Sequence, residues 1–184
     1  MLVFLDFEAS SLGKRSYPIE VAWVFEDGRS EGHLIHPAPE WEDWDPAAEA
    51  IHHIPRATLL ETGESHGAVA RRMVDQLTGH DLLASAPSWD GKWLSTLLRA
   101  AGLPRHSLRL RDSDAAHREA ARAILADEVP PDLLDATVED LLVHADMQDR
   151  GPVAHRALAD AEAERTRWLA VREAAAAHLT ARSR

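Results

Sequence analysis

Leu2-Val3-Phe4-Leu5-Asp6-Phe7-Glu8 opens the chain and decides how the rest is read. Met1 to Leu5 is an unbroken apolar run rich in strand formers, the pattern of a buried central strand rather than a half-exposed one. Side chains alternate faces along a strand, so Asp6 and Glu8 point the same way, ~6.5 Å apart. Two carboxylates ending a buried strand repel each other and lose water, which costs several kcal/mol unless a positive charge sits between them. A hard divalent cation with oxygen ligands answers that demand. A strand that runs out into solvent answers it equally well, because there two acids cost nothing. Both readings stay open on this segment, since Asp160-Ala161-Glu162 repeats the same spacing.

The remaining composition narrows the class. A chain of 184 residues, 45% hydrophobic and 28% charged, reads as one globular α/β domain over residues 1–184. No apolar run reaches the ~18 residues that a membrane span needs, and the N-terminus lacks the basic start of a signal peptide, so a cytoplasmic protein is expected. The absence of cysteine excludes disulfides and thiolate metal sites, leaving carboxylate, histidine or water to hold any metal. A net charge of −11 argues against a general nucleic-acid coat but allows an enzyme that grips a strand end through metal ions.

Pro18 leads into a second strand through Phe25, and Asp27-Gly28 is a tight-turn pair before a third strand reaching about His36. These three form an antiparallel meander. Pro37 to Pro46 reads as irregular. Val69, Met73, Val74 and Leu77 make a helical stripe, and Asp81 to Ala86 a short buried strand. Trp93, Leu94, Leu97, Leu98 and Ala101 make a second stripe, stopped by Gly102 and Pro104. Ser107 to Arg111 is the candidate fifth strand. Helices follow at Ala115 to Ala126 and at Ala136 to about Gln148, and Gly151-Pro152 opens a last one with stripe Leu158, Ala161, Trp168, Leu169, Ala176 and Leu179.

Two further acids and one histidine stand out. Asp90, in Ser88-Trp89-Asp90-Gly91-Lys92-Trp93, falls between strand and helix, where an Asp is either a helix N-cap or a ligand. His155 and Asp160, five apart, bring an imidazole and a carboxylate to the start of the last helix, where a surface His and a dipole-complementing Asp are the plain alternative. His144 and Asp149 share that spacing, but Asp149 falls at a helix end, where an acid is unfavourable.

Asp6-Phe7-Glu8, a lone Asp90 opening a mid-chain helix, and His155-x-x-x-x-Asp160 together resemble the three motifs of the DEDDh-type 3′→5′ exonucleases, the family of proofreading subunits, ribonuclease T and oligoribonuclease. Pro18-Ile19-Glu20-Val21-Ala22 resembles the start of the family's second strand, and Ile51-His52-His53-Ile54-Pro55 its Ile-His-Gly-Ile-Thr segment. The resemblance implies a ribonuclease H-like fold: a five-stranded mixed sheet, its first three strands antiparallel, with helices on both faces. It implies two Mg²⁺ or Mn²⁺ ions held by Asp6, Glu8, Asp90 and Asp160, with His155 as general base. Ser10 and Leu12 would contact the 3′-terminal nucleotide. The partner would be a single-stranded nucleic-acid 3′ end or a short oligonucleotide, and several members of the family form homodimers. Lys14, Arg15, Lys92, Arg109 and Arg111 are either phosphate contacts or solvated surface charge.

The chain departs from the family at Ala9-Ser10, where Thr-Gly is usual, and at Ser85-Ala86, where a His-Asn pair often precedes the acid. Two other readings therefore stand beside the nuclease: a binding module of the same fold with weak catalysis, and a metal-dependent phosphohydrolase acting on small nucleotides.

Overall fold

In a computed structural model, residues 1–148 and 155–182 are described; Asp149 and Gly151-Pro152, used above to argue for the last helix, lie outside them. Six strands form one mixed sheet in the order β4-β3-β2-β1-β5-β6. β1 (Leu2–Ala9), β2 (Pro18–Phe25) and β3 (Ser30–His36) are the expected antiparallel meander, turned between β2 and β3 at Gly28, whose φ of 95° suits glycine. β5 (Asp81–Ala84) lies parallel to β1, and β6 (Leu110–Asp112) parallel to β5.

The strand count is six rather than the five expected. The extra strand, β4 (Glu64–Ser65), is a two-residue parallel addition beside Ile35 and His36, too short to leave any periodicity. The last strand begins at Leu110, because residues 103–109 form a loop along α4 instead.

The faces of β1 sort by residue parity. Val3, Leu5, Phe7 and Ala9 join the main core with β2 and with helices α3 (His66–Leu77) and α4 (Pro87–Ala100). Phe4 lies on the opposite face, against Leu83, Ala116 and Trp168, under α5 (Ser113–Leu125) and α7 (Ala157–Arg182). α6 (Pro131–Gln148) packs outside α5 and α7 through a separate apolar cluster that includes Leu125, Val138, Leu142 and Val171. Helices thus cover both faces.

Two short helices, α1 (Pro46–His52) and α2 (Arg56–Thr62), bridge β3 and α3. α1 is capped by Asp45, which accepts from the Ala47 amide, and Pro46 occupies its first turn. It ends at His53 with φ 57°, the left-handed position that the family motif fills with glycine.

The inward face of α7 differs from the expected stripe. Ala157, Ala161, Trp168, Val171 and Ala175 are buried, whereas Leu158 and Leu169 are 36% and 38% exposed. Small residues let the helix lie close on β1 and β2, and alanine carries little weight in a stripe read by bulk.

Candidate functional site

The C-terminal half of β1 carries Asp6 and Glu8 out from under the apolar floor of Phe4, toward the first turn of α7. There Asp160 faces them. One carboxylate oxygen each of Asp6, Glu8 and Asp160 lie within 4.8 Å of one another, close enough to share a cation. The competing Asp-x-Glu resolves by geometry: Glu162 is exposed on the outer side of α7. His144 is likewise spent elsewhere, its Nδ1 2.7 Å from the Asp140 carbonyl of its own helix.

A clamp fixes where α7 begins. Glu20 stands opposite Glu8 in the β1–β2 register, is 6% exposed, and accepts from the Ala157 amide at 2.9 Å and from Arg156 Nη2 at 2.6 Å. An acid bonded to the first amide of a helix satisfies an otherwise unpaired donor and the positive end of the dipole. The same bond sets the height of Asp160 against β1, one turn further on. One turn beyond Asp160, Glu164 accepts from Ser113 Oγ at 2.7 Å.

Asp90 reaches the centre from the other side. It does not cap α4; Ala86 holds that position, Pro87 opens the helix, and Asp90 sits at the end of the first turn. Only 2% exposed, it receives backbone hydrogen bonds from Phe7 and Ala86, yet its Oδ2 has no hydrogen-bond partner. A buried, unpaired carboxylate oxygen is costly and needs a proton or a cation.

The electrostatics of the acids agree. Burial first, then repulsion from Asp90, Glu8, Asp160 and Glu164, pushes the Asp6 carboxyl up to about 9. Burial, with repulsion from Asp160 and Glu20 against the pull of Arg156, raises Glu8 to about 7. Burial also lifts Asp90 to about 7, against its backbone hydrogen bonds. Groups so perturbed cluster where charge is to be bound or moved. The donors are carboxylate oxygens without sulfur, a set suited to Mg²⁺ or Mn²⁺. The residues fit such ions.

His155 lies just before α7, exposed and with φ 48°. None of the described contacts joins it to the carboxylates. Ser10 is fully buried; its Oγ accepts from the Tyr17 amide at 3.1 Å and so braces the loop after β1. Leu12, by contrast, is 69% exposed at the tip of that loop. Lys92 donates to Gly13 O at 2.6 Å and Ser16 Oγ at 2.8 Å, holding the loop from α4. Arg111 is engaged by Asp81 and Glu119, while Lys14, Arg15 and Arg109 are exposed.

Sequence reasoning missed Glu20 as a clamp and Glu164 as a neighbour of Asp6. Both had a signal: Glu20 pairs with Glu8 once the hairpin register is drawn, and Glu164 is four residues after Asp160 on the same helical face.

An antiparallel meander extended by parallel strands and covered by helices on both faces defines a ribonuclease H-like α/β fold. Among solved structures, the chain is similar to exonuclease I of Escherichia coli in a zinc-bound complex with single-stranded DNA, at 19% identity and a TM-score of 0.63, covering 90% of this chain and 38% of that one. It is also similar to exonuclease I of Methylocaldum szegediense, at 20% identity and a TM-score of 0.64, covering 91% and 40%. A complex of the E. coli enzyme with a dT13 oligonucleotide gives 19% identity, a TM-score of 0.63, and coverage of 90% and 39%. The chain therefore spans about two fifths of the length of these relatives. No family model and no curated protein sequence matches the chain.

Proposed function

We propose that this chain is a metal-dependent 3′→5′ exonuclease acting on single-stranded nucleic acid. The observation that carries the reading is the convergence of Asp6, Glu8 and Asp160 within 4.8 Å, beside a buried Asp90 with an unpartnered oxygen. The similarity to exonuclease I structures solved with single-stranded DNA supports the substrate class. The reading takes residues 1–184 as one domain; a homodimer has no support in these relatives and is not part of it.

Asp6, Glu8, Asp90 and Asp160 would hold two Mg²⁺ or Mn²⁺ ions. Such ions supply transition-state charge stabilisation and make a nearby water more acidic. His155, at the mouth of α7, would accept the proton of the attacking water; imidazole has the strength that proton abstraction near neutral pH requires. Arg156 is taken up by Glu20. Leu12, exposed on the loop after β1, would pack against the terminal nucleotide, and Ser10 would act by shaping that loop. The product would be a nucleoside 5′-monophosphate.

Digestion of matched 5′-labelled DNA and RNA oligonucleotides, single- and double-stranded, with and without EDTA, tests this. A metal-dependent ladder shortening from the 3′ end is expected. Binding without shortening would favour the weakly catalytic module, and release of phosphate only from free nucleotides would favour the phosphohydrolase. Among the described residues, no helix is long and apolar enough to cross a membrane, which agrees with a partner met in solution.

A further inference from the structure

A cavity of about 370 Å³ lies on the outer side of α4, beginning one residue from Asp90. Gly91, Leu94 and Ser95 of the helix form one wall, and Arg105, His106 and Arg109 of the following loop form the other. Gly91 leaves the entrance open: a Cβ there would meet nothing within 4 Å. No carboxylate lines the cavity, although the chain carries 31 acids and a net charge of −11. Among the described residues neither Arg105 nor Arg109 forms an ion pair, whereas Arg111, Arg118, Arg122 and Arg156 all do. Arg105 uses its Nε on His106 Nε2 at 2.9 Å, which orients the guanidinium from a neutral acceptor rather than neutralising it.

Two guanidiniums without an ion pair, facing a helical wall of Gly91, Leu94 and Ser95, suit a phosphate group, which they can grip through paired N–H donors. The volume exceeds what one ion needs and matches a nucleotide-sized ligand. We infer that this cavity is a subsite for the phosphodiester backbone of the single strand upstream of the scissile linkage. It deepens the nuclease reading and rests on it for the strand's identity; Gly91, which lines the cavity, directly follows Asp90 in α4. The subsite draws in an anion that an acidic chain otherwise repels.

The test compares wild type with the Arg105→Ala/Arg109→Ala variant, both residues being exposed and outside the core. Anisotropy of a fluorescein-labelled ~12-nucleotide single strand is measured in EDTA over a range of salt. Hydrolysis of a dinucleotide lacking a 5′-phosphate, whose one phosphate is the scissile one, is measured with Mn²⁺. The expected result is ~10-fold weaker binding of the long strand and a salt slope smaller by about 1.4, from two contacts of about 0.7 each. Dinucleotide hydrolysis is expected to be unchanged. Equal affinity and equal slope would overturn the subsite. If wild type cleaves neither substrate but the variant still binds more weakly, the subsite stands and the nuclease reading fails. If a nucleoside monophosphate or inorganic phosphate binds wild type and not the variant, while long-strand affinity is the same in both, the cavity takes a free phosphate and the strand assignment is overturned.

Discussion

Two acidic clusters stand at opposite ends of the same pair of parallel strands, β1 and β5. At one end Asp81, where β5 starts, is held with Glu119 by Arg111, with N–O distances of 2.7 and 2.9 Å. At the other, Asp6, Glu8 and Asp160 converge with Asp90 close enough to repel Asp6, and the nearby Arg156 is bonded to Glu20. The first cluster contains its cation. The second has pKa values pushed upward and a buried oxygen without a partner. Acids supplied with a guanidinium hold the chain together, whereas buried carboxyls pushed up in pKa, as at Asp6 and Asp90, suit a charge that arrives from outside.

The contrast predicts opposite signs for one kind of substitution. Asp6→Asn is expected to abolish cleavage and Mn²⁺ binding yet stabilise the metal-free protein, because it removes a buried carboxyl that folding forces to take up a proton. Asp81→Asn should leave both activities intact and cost ~1 kcal/mol, the usual worth of a solvent-exposed pair. Denaturant titration beside a digest checks both; a destabilised metal-free Asp6→Asn protein would erase the distinction. His155→Ala should lower kcat ~10²–10⁴-fold while leaving calorimetric Mn²⁺ affinity unchanged. Undiminished turnover would remove the base assignment.

Smaller effects sharpen the same comparison. In Asp6, Glu8 and Asp90 the folded pKa lies above the unfolded reference of 3.8 or 4.5, so the native protein keeps protons that the unfolded chain has released. Their contribution is fully present below about pH 4 and is lost as pH rises through about 7 and then 9. The metal-free protein should therefore weaken steadily between pH ~5 and ~9, and Mn²⁺ should cancel the loss. Chemical denaturation across that range, with and without the ion, reads it; a slope untouched by metal would count against shared binding. His53→Gly, at a left-handed position outside the carboxylate cluster, should add ~1 kcal/mol in thermal unfolding and leave Mn²⁺ affinity alone.

Much of this was legible in residue order alone. The apolar run into Asp6 and Glu8 marks a central strand, and Asp27-Gly28 marks the hairpin of β2 and β3, because both signals are local. Asp90 and Asp160 could be nominated but not joined to β1, since their meeting depends on two connections that no periodicity encodes. Glu20 escaped notice because its role appears only when α7 is docked on β2. The strand expected at Ser107 to Arg111 was misplaced for a related reason: its alternation reflects a loop packed along α4, where Leu108 is buried while Arg105 and Arg109 face the cavity. Ser10 directly follows β1, and its buried hydroxyl turns inward to Tyr17, which sequence spacing does not reveal.

Calorimetric titration of Mn²⁺ into the metal-free wild-type protein and its Asp90→Asn variant tests the central claim most directly, since Asp90 arrives from a different element than the other three acids. The account predicts tight binding by wild type and a marked loss in the variant, with the folded state intact. Identical isotherms for the two proteins would contradict it.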